Sequence, residues 1–261
     1  MKTIFISGAA AGIGRATALR FLSAGWRVGA YDCDSGGLTK LEQEVSAGLP
    51  GQLVTGTLEV TDNASWQAAL ADFVSHSDGK LQVLFNNAGI LYSGALHATS
   101  LADLQRMISV NVNGVLAGCY LAYPYLQAAA GAGEMPRVIN MSSASAIYGQ
   151  PWLAGYSASK FAVRAITEAL ELEWADDGIK VMDAMPLFVK TGMIEDMQGD
   201  SIRRLGVRLT PEIIARSIFK MAHYRGGRVH WTVGTQTKLM ALASKLSPAR
   251  LVRASNRWIS R

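Results

Sequence analysis

The sequence predicts an α/β fold: a doubly wound, parallel, seven-stranded sheet with helices on both faces. Three observations predict it. Seven short β-branched or aromatic runs alternate with segments of helical apolar spacing. A glycine-rich turn joins the first run to the first helical segment. Clusters of polar residues recur just after the runs, where such a sheet opens its ligand crevice.

The first run is Thr3–Ser7, followed by a helical segment over Ile13–Ala24 whose Ala16, Leu19, Phe21 and Leu22 share the apolar spacing. Strand-length runs follow at Arg27–Asp32 and Gln52–Leu58, then a helix over Ser65–Val74 carrying Trp66, Leu70 and Phe73, and a fourth run at Leu81–Asn86. Met107–Gly133 is a window of 27 uncharged residues, long enough to cross a bilayer. Asn111, Asn113, Pro124 and Gln127 interrupt it, so it reads as one long buried helix of the core. Runs at Arg137–Met141, Lys180–Met185 and Arg228–Val233 complete the sheet, with a long helix from Tyr156 to about Asp176. Thr210-Pro211-Glu212 opens a helix, with threonine as cap and proline in the first turn, so Glu195 to Leu209 before it reads as a mobile connection.

A chain with 49% hydrophobic residues and a mean hydropathy of +0.16 can bury one sizeable core, and residues 1–261 read as a single domain with a basic helical extension over 235–261. Disordered and collagenous classes are excluded. Cys33 and Cys119, the two cysteines, have no metal-like spacing, which argues against a disulfide scaffold or a zinc site and favours a reducing compartment. Met1-Lys2 runs into a β-like segment too short for a secretory core, so the expectation is a cytoplasmic protein. The net charge of +5 is uneven: residues 201–261 hold thirteen Lys and Arg against Glu212 alone, and the remainder is acidic. No aromatic-basic platform accompanies that charge, so no nucleic-acid partner is expected.

Ser7-Gly8-Ala9-Ala10-Ala11-Gly12-Ile13-Gly14 lies between a strand and a helix, where a dinucleotide pyrophosphate can rest on backbone N–H groups at a helix N-terminus. Larger side chains would block that approach. Asp32 ends the second strand, eighteen residues past Gly14; a carboxylate there accepts hydrogen bonds from ribose hydroxyls and repels a 2′-phosphate. Neither Ala11 nor Cys33 supplies a positive charge, although Arg15 is near, and NAD is predicted over NADP.

Tyr156-Ser157-Ala158-Ser159-Lys160 places a phenol and an ammonium four residues apart, on one helical face. A phenol of pKa about 10 is a poor base at neutral pH, but a fixed ammonium favours its phenolate and lets it exchange a proton with an alcohol. Ser142-Ser143 follow the fifth run, Asn86-Asn87-Ala88-Gly89 the fourth, and Asn111 sits in the charge-free helix, so polar groups converge on one crevice.

With Ser7–Gly14, Asn86–Gly89, Asn111, Ser143 and the Tyr156/Lys160 pair in order, the sequence resembles the short-chain dehydrogenase/reductase superfamily, single-domain and Rossmann-like, over about residues 3 to 235. The resemblance implies that Tyr156 is the acid/base, that Lys160 lowers its pKa and holds the nicotinamide ribose, that Ser143 binds the substrate oxygen, and that Asn111 orders a relay water. It implies Gly8, Gly12, Ile13 and Gly14 at the pyrophosphate, Asp32 at the ribose, Asn87-Ala88-Gly89 beside the adenosine half and Thr191 at the carboxamide. It also implies a homodimer or homotetramer joined through the helices near 101–129 and 156–176. Three departures stand out: Ser7 for the usual threonine, Glu59 where the family commonly has aspartate, and Pro186-Leu187 for Pro-Gly.

Leu187 to Gly206 carries Leu187, Phe188, Val189, Met193, Ile194 and Met197, which suits a lid over an apolar alcohol or ketone, lipid, steroid-like or aromatic. Thr237–Leu246 and Pro248–Ile259 read as basic amphipathic helices that could lie on an anionic membrane, at about 1 kcal/mol per nearby Lys or Arg, pack within or between subunits, or meet an anionic substrate. The sequence thus reads as an NAD-dependent oxidoreductase of secondary alcohols and ketones. Its rivals are an NADP-dependent ketoreductase of acyl thioesters and a non-catalytic dinucleotide-binding scaffold.

Overall fold

Seven parallel strands make one sheet in the order β3-β2-β1-β4-β5-β6-β7 in a computed structural model that describes residues 1–46, 48–194 and 200–259. The strands are β1 (Thr3–Ser7), β2 (Arg27–Asp32), β3 (Gln52–Thr57), β4 (Val83–Asn86), β5 (Arg137–Met141), β6 (Lys180–Pro186) and β7 (His230–Val233). The helices are α1 (Gly12–Leu22), α2 (Ser35–Val45), α3 (Asn63–Ser75), α4 (Leu101–Ile108), α5 (Gly114–Gly131), α6 (Ala154–Glu173), α7 (Asp200–Leu205), α8 (Pro211–His223), α9 (Thr235–Leu246) and α10 (Ala249–Ile259).

The parallel register decides where the loops emerge. Ser7 pairs with Asn86, Asn86 with Asn140, and Asn140 with Asp183, so the carboxyl ends of β1, β4, β5 and β6 lie along one edge. The strand order reverses between β1 and β4, and this is the switch point where a crevice opens. The core has two faces. Ile4, Ile6 and Val28 point toward Phe21 of α1 and Ile214 and Ile218 of α8, while Phe5, Leu84 and Val138 point toward Trp66, Phe73, Leu126 and Val163 of α3, α5 and α6. Burying each such side chain contributes about 1.5–3 kcal/mol.

Two expectations are corrected. Met107–Gly133 is not one buried helix: α4 ends at Ile108, a π-turn runs over Ser109–Asn113, and α5 continues to Gly131. α5 is buried on one side only, with Tyr120 80% exposed. Gly118 shows why the inner side comes so close, since a Cβ there would lie 2.4 Å from Asn86 Oδ1 and 2.8 Å from the Trp66 ring. Among the described residues no helix is long and apolar enough to cross a membrane. The expected connection over 195–209 is also not loop throughout: residues 200–205 form α7, Lys190 N–H donates to Leu209 O at 2.9 Å beside a bridge between Val189 and Leu209, and residues 195–199 lie outside the described residues. Met197 of the expected lid lies outside the described residues.

Candidate active site

The glycine turn leaves β1 at Ser7 and enters α1 at Gly12. Gly8 and Gly12 have φ of +68° and +53°, the left-handed region where glycine costs least. Gly14 is set by contact instead, because a Cβ there would stand 2.0 Å from Gly8 O and 2.7 Å from Asn87 Nδ2. We expect Gly14→Ala to push the turn off helix α1 and lower stability by about 2 kcal/mol; an unchanged melting temperature would overturn this. Ala11, at the helix cap position, makes no side-chain cap, and no acidic residue sits in the first turn, so the leading amides of α1 keep their capacity to hold an anion.

The loop after β4 is pinned to that turn. Asn87 Nδ2 donates to Ser7 O at 3.1 Å and to Gly8 O at 2.8 Å. The amides of Asn87 and Ala88 donate to Ser7 Oγ at 3.2 and 3.3 Å, so serine serves here as threonine would. Asp32 holds its carboxylate at the cleft rim with two backbone donors, Ala10 N to Oδ2 at 2.9 Å and Asp34 N to Oδ1 at 3.0 Å. Arg15 is ion-paired to Glu44. Glu59 turns its carboxylate back onto Thr61, accepting from its amide at 3.0 Å and its hydroxyl at 2.8 Å. Leu187 is buried without a left-handed backbone, so leucine is accommodated where a glycine was expected.

The π-turn re-aims Asn111, a fully buried side chain. Its Oδ1 accepts from Ile90 N at 2.8 Å, and its Nδ2 donates to Ile90 O at 2.9 Å and Ser159 Oγ at 3.1 Å. That fastens the loop after β4 to helix α6. Lys160, one turn beyond Tyr156, is buried and donates Nζ to Met141 O at 2.8 Å, with Nζ 5.5 Å from the Tyr156 ring centre. A Cβ on Gly89 would lie 3.6 Å from that Nζ and 3.2 Å from Asn111 Oδ1. Ser143 caps a short 3-10 turn, its Oγ accepting from Ser145 N at 3.2 Å, whereas Ser142 Oγ is spent on Lys160 O at 3.3 Å.

Burial drives both titrating groups toward neutrality. It pushes the Tyr156 phenol up to about 12, with the Ser143 hydroxyl pulling the other way, and the Lys160 ammonium down to about 8. In this setting the phenol is raised rather than lowered, since desolvation outweighs the Ser143 hydrogen bond.

These groups share a cavity of about 410 Å³. Gly8, Gly12, Ile13, Asp32, Asn87, Ala88, Gly89, Ser143, Tyr156, Lys160 and Thr191 line it; Gly14 and Asn111 support it from behind. Thr191 closes over the turn, its Cγ2 lying 3.2 Å from where a Gly12 Cβ would be. Leu187, Phe188 and Val189, expected as lid residues, are buried wall residues that also line the cavity, and Met193, which lines it too, is exposed. Sequence reasoning missed Gln150, Leu153, Arg106 and Val110 in the lining. It also missed Trp152, whose φ of +66° is unusual for a bulky residue and whose carbonyl accepts from Gly94 N at 2.8 Å to join two rim loops. Ser159 carried a legible signal, a hydroxyl on the inner side of the Tyr156 helix. Arg106 carried none.

The sequence profile described as short chain dehydrogenase matches residues 2–201. The chain belongs to the short chain dehydrogenase family. Among its relatives, this short chain dehydrogenase is 30% identical to cyclohexanol dehydrogenase of Acinetobacter sp. over 83% of this chain and 86% of the other. It is 34% identical to a 3-oxoacyl-acyl-carrier-protein reductase of Thermotoga maritima over 75% and 77%. Among solved structures, a short chain dehydrogenase/reductase of Burkholderia phymatum in complex with NAD superposes with a TM-score of 0.80 at 26% identity, covering 94% of each chain.

Proposed function

We propose that this short chain dehydrogenase is NAD-dependent and interconverts a secondary alcohol and its ketone on an apolar substrate. The observation that carries the reading is that Tyr156, Lys160 and Ser143 face the same cavity as the glycine turn and Asp32. The residues fit the dinucleotide: a helix N-terminus without a capping side chain, glycines where a Cβ would collide, and a carboxylate at the end of β2. When bound there, the dinucleotide supplies the hydride donor or acceptor.

The chain's own residues handle the oxygen and its proton. Ser143 Oγ holds the substrate oxygen, and Tyr156 gives a proton to it as the phenol in reduction or takes one from it as the phenolate in oxidation. Lys160, held by Met141 O, keeps positive charge within one helical turn of the phenol and offers its remaining N–H groups to a ribose. Asn111 keeps Ile90 and Ser159 in register, so that the loop carrying Gly89 and the helix carrying Tyr156 stay at a set separation. Leu153, Leu187, Phe188 and Met193 exclude water around the reacting carbon.

Asp32 supports NAD over NADP, and the pairing of Arg15 with Glu44 engages a cation that could otherwise hold a 2′-phosphate. We expect fluorescence titration to give NADH at least tenfold tighter binding than NADPH, with Asp32→Ala narrowing the ratio. Stronger binding of NADPH by the unaltered protein would transfer the reading to the acyl-thioester reductase alternative. The outer face of α5, where Leu116 and Tyr120 are exposed, together with exposed Phe161 and Leu172 on α6, supports a homodimer or homotetramer.

A further inference from the structure

The C-terminal helices form a surface that the proposed reaction does not use. Residues 235–261 carry six Lys and Arg and no Asp or Glu. Packing fixes which way α9 faces. Thr237 is buried and donates its hydroxyl to Val233 O at 2.7 Å, Met240 packs on the cluster of Ala144, Leu187 and Phe188, and Ala243 and Ser244 line a cavity of about 240 Å³ against the Ala144–Gln150 loop. With 3.6 residues per turn, the opposite face presents Lys238, Leu239, Leu242, Lys245 and Leu246.

α10 repeats the arrangement after the Ser247-Pro248 turn. Leu251, Val252, Ser255 and Ile259 line the same cavity, which leaves Arg250 and Arg253 outward and Trp258, with the exposed part of Leu251, along one border. Leu239, Leu242, Leu246, Leu251 and Trp258 are each more than half exposed. Single exposed apolar residues are ordinary on a soluble surface, but five on two consecutive helices amount to a patch. Among the described residues no carboxylate pairs with Lys238, Lys245, Arg250 or Arg253.

We propose that α9 and α10 lie in the headgroup layer of an anionic lipid bilayer, with the leucines and Trp258 at the acyl boundary and the four cations against lipid phosphates. A surface that is apolar and carries four cations without a carboxylate partner among the described residues matches that occupant on both counts. A second copy docked through the same face would set these cations against one another, and a nucleic acid would leave the leucines uncovered. Lysine stems can lie along the apolar layer while their ammonium groups reach the headgroups. The face is also fastened to the segment beyond Thr191: Arg204 of α7 donates Nη1 to Trp258 O at 2.7 Å and sits 4.8 Å from its ring centre.

The test is flotation of the full chain with vesicles of pure phosphatidylcholine and of phosphatidylcholine containing phosphatidylglycerol. Its readout is independent of any activity. The protein is expected to float with the anionic vesicles, to stay behind with the neutral ones, and to be released by salt. The double variant R250Q/R253Q removes two outward cations without touching the buried side, and its partition coefficient should fall on the order of 30-fold. Leu242→Ser should weaken binding while leaving the melting temperature unchanged. Protein that remains unbound to anionic vesicles, or binding that both variants leave intact, overturns the proposal. A lower oligomeric mass in the variants by light scattering would instead assign the face to contact between subunits, and that too would sink it.

Discussion

Tyr156→Phe is expected to lower kcat by about 10²- to 10⁴-fold, the range of a positioned general acid or base, while NADH binding changes less than threefold. The expectation follows from geometry. The ring stays where α6 puts it, 5.5 Å from Lys160 Nζ and facing Ser143, so the substitution removes the hydroxyl proton and little packing. Lys160 remains buried and held by Met141 O, so the groups offered to the ribose survive. Stopped-flow hydride transfer, with dinucleotide titration beside it, separates chemistry from binding. Unaltered turnover by the phenylalanine protein would remove the proposed role, and equal losses in turnover and NADH affinity would reduce Tyr156 to a structural part of the cleft.

His230→Leu is expected to destabilise the fold by about 3 kcal/mol near pH 6.5, because it takes the partner from a fully buried carboxylate. Asp183 on β6 accepts from His230 Nδ1 through both oxygens at 3.0 Å. His230 Nε2 reaches Glu168 at 2.9 Å, Glu168 accepts from Arg164 Nε at 2.8 Å, and Arg164 Nη1 donates to Ala146 O at 3.2 Å, just past Ser143. Both ring nitrogens lie within hydrogen-bond distance of carboxyl oxygens, an arrangement that favours the imidazolium, while burial raises the Asp183 carboxyl. The hydrogen bond with Asp183 raises His230 above its usual 6.5, with burial opposing. A cation whose folded pKa is raised stabilises fully below the unfolded value, and that contribution fades as pH climbs through the folded one. The gap between the two proteins in urea midpoint should therefore be widest below pH 6.5 and narrow as pH rises above it. Coincident midpoints at pH 6.5 would show that the chain of contacts adds nothing.

The strand runs were legible because a short β-branched or aromatic composition is a local property; β1, β2 and β5 have the bounds the residues implied. β4 and β7 begin two residues later than their runs, at Val83 and His230, where pairing with neighbours rather than composition decides the start. The π-turn at Ser109–Asn113 was hidden for the same reason. Its sequence is compatible with an ordinary helix, and what stabilises the wider turn is Asn111 bonded to Ile90 and Ser159, 21 and 48 residues away. Trp152 in a left-handed conformation gave no warning, since the contact that holds it is with Gly94.

Residues by themselves determined the α/β class, the glycine turn, the acid that follows it and the Tyr156/Lys160 pair, because each of these depends on backbone freedom or on spacing within one element. Tertiary structure alone decided that Ser142 Oγ is spent on Lys160 O, that Arg15 is paired with Glu44, that burial lifts the phenol, and that the C-terminal helices leave leucines exposed. Those outcomes depend on how far charges lie from water and from one another across the assembled fold, and neighbours in space are not neighbours in sequence.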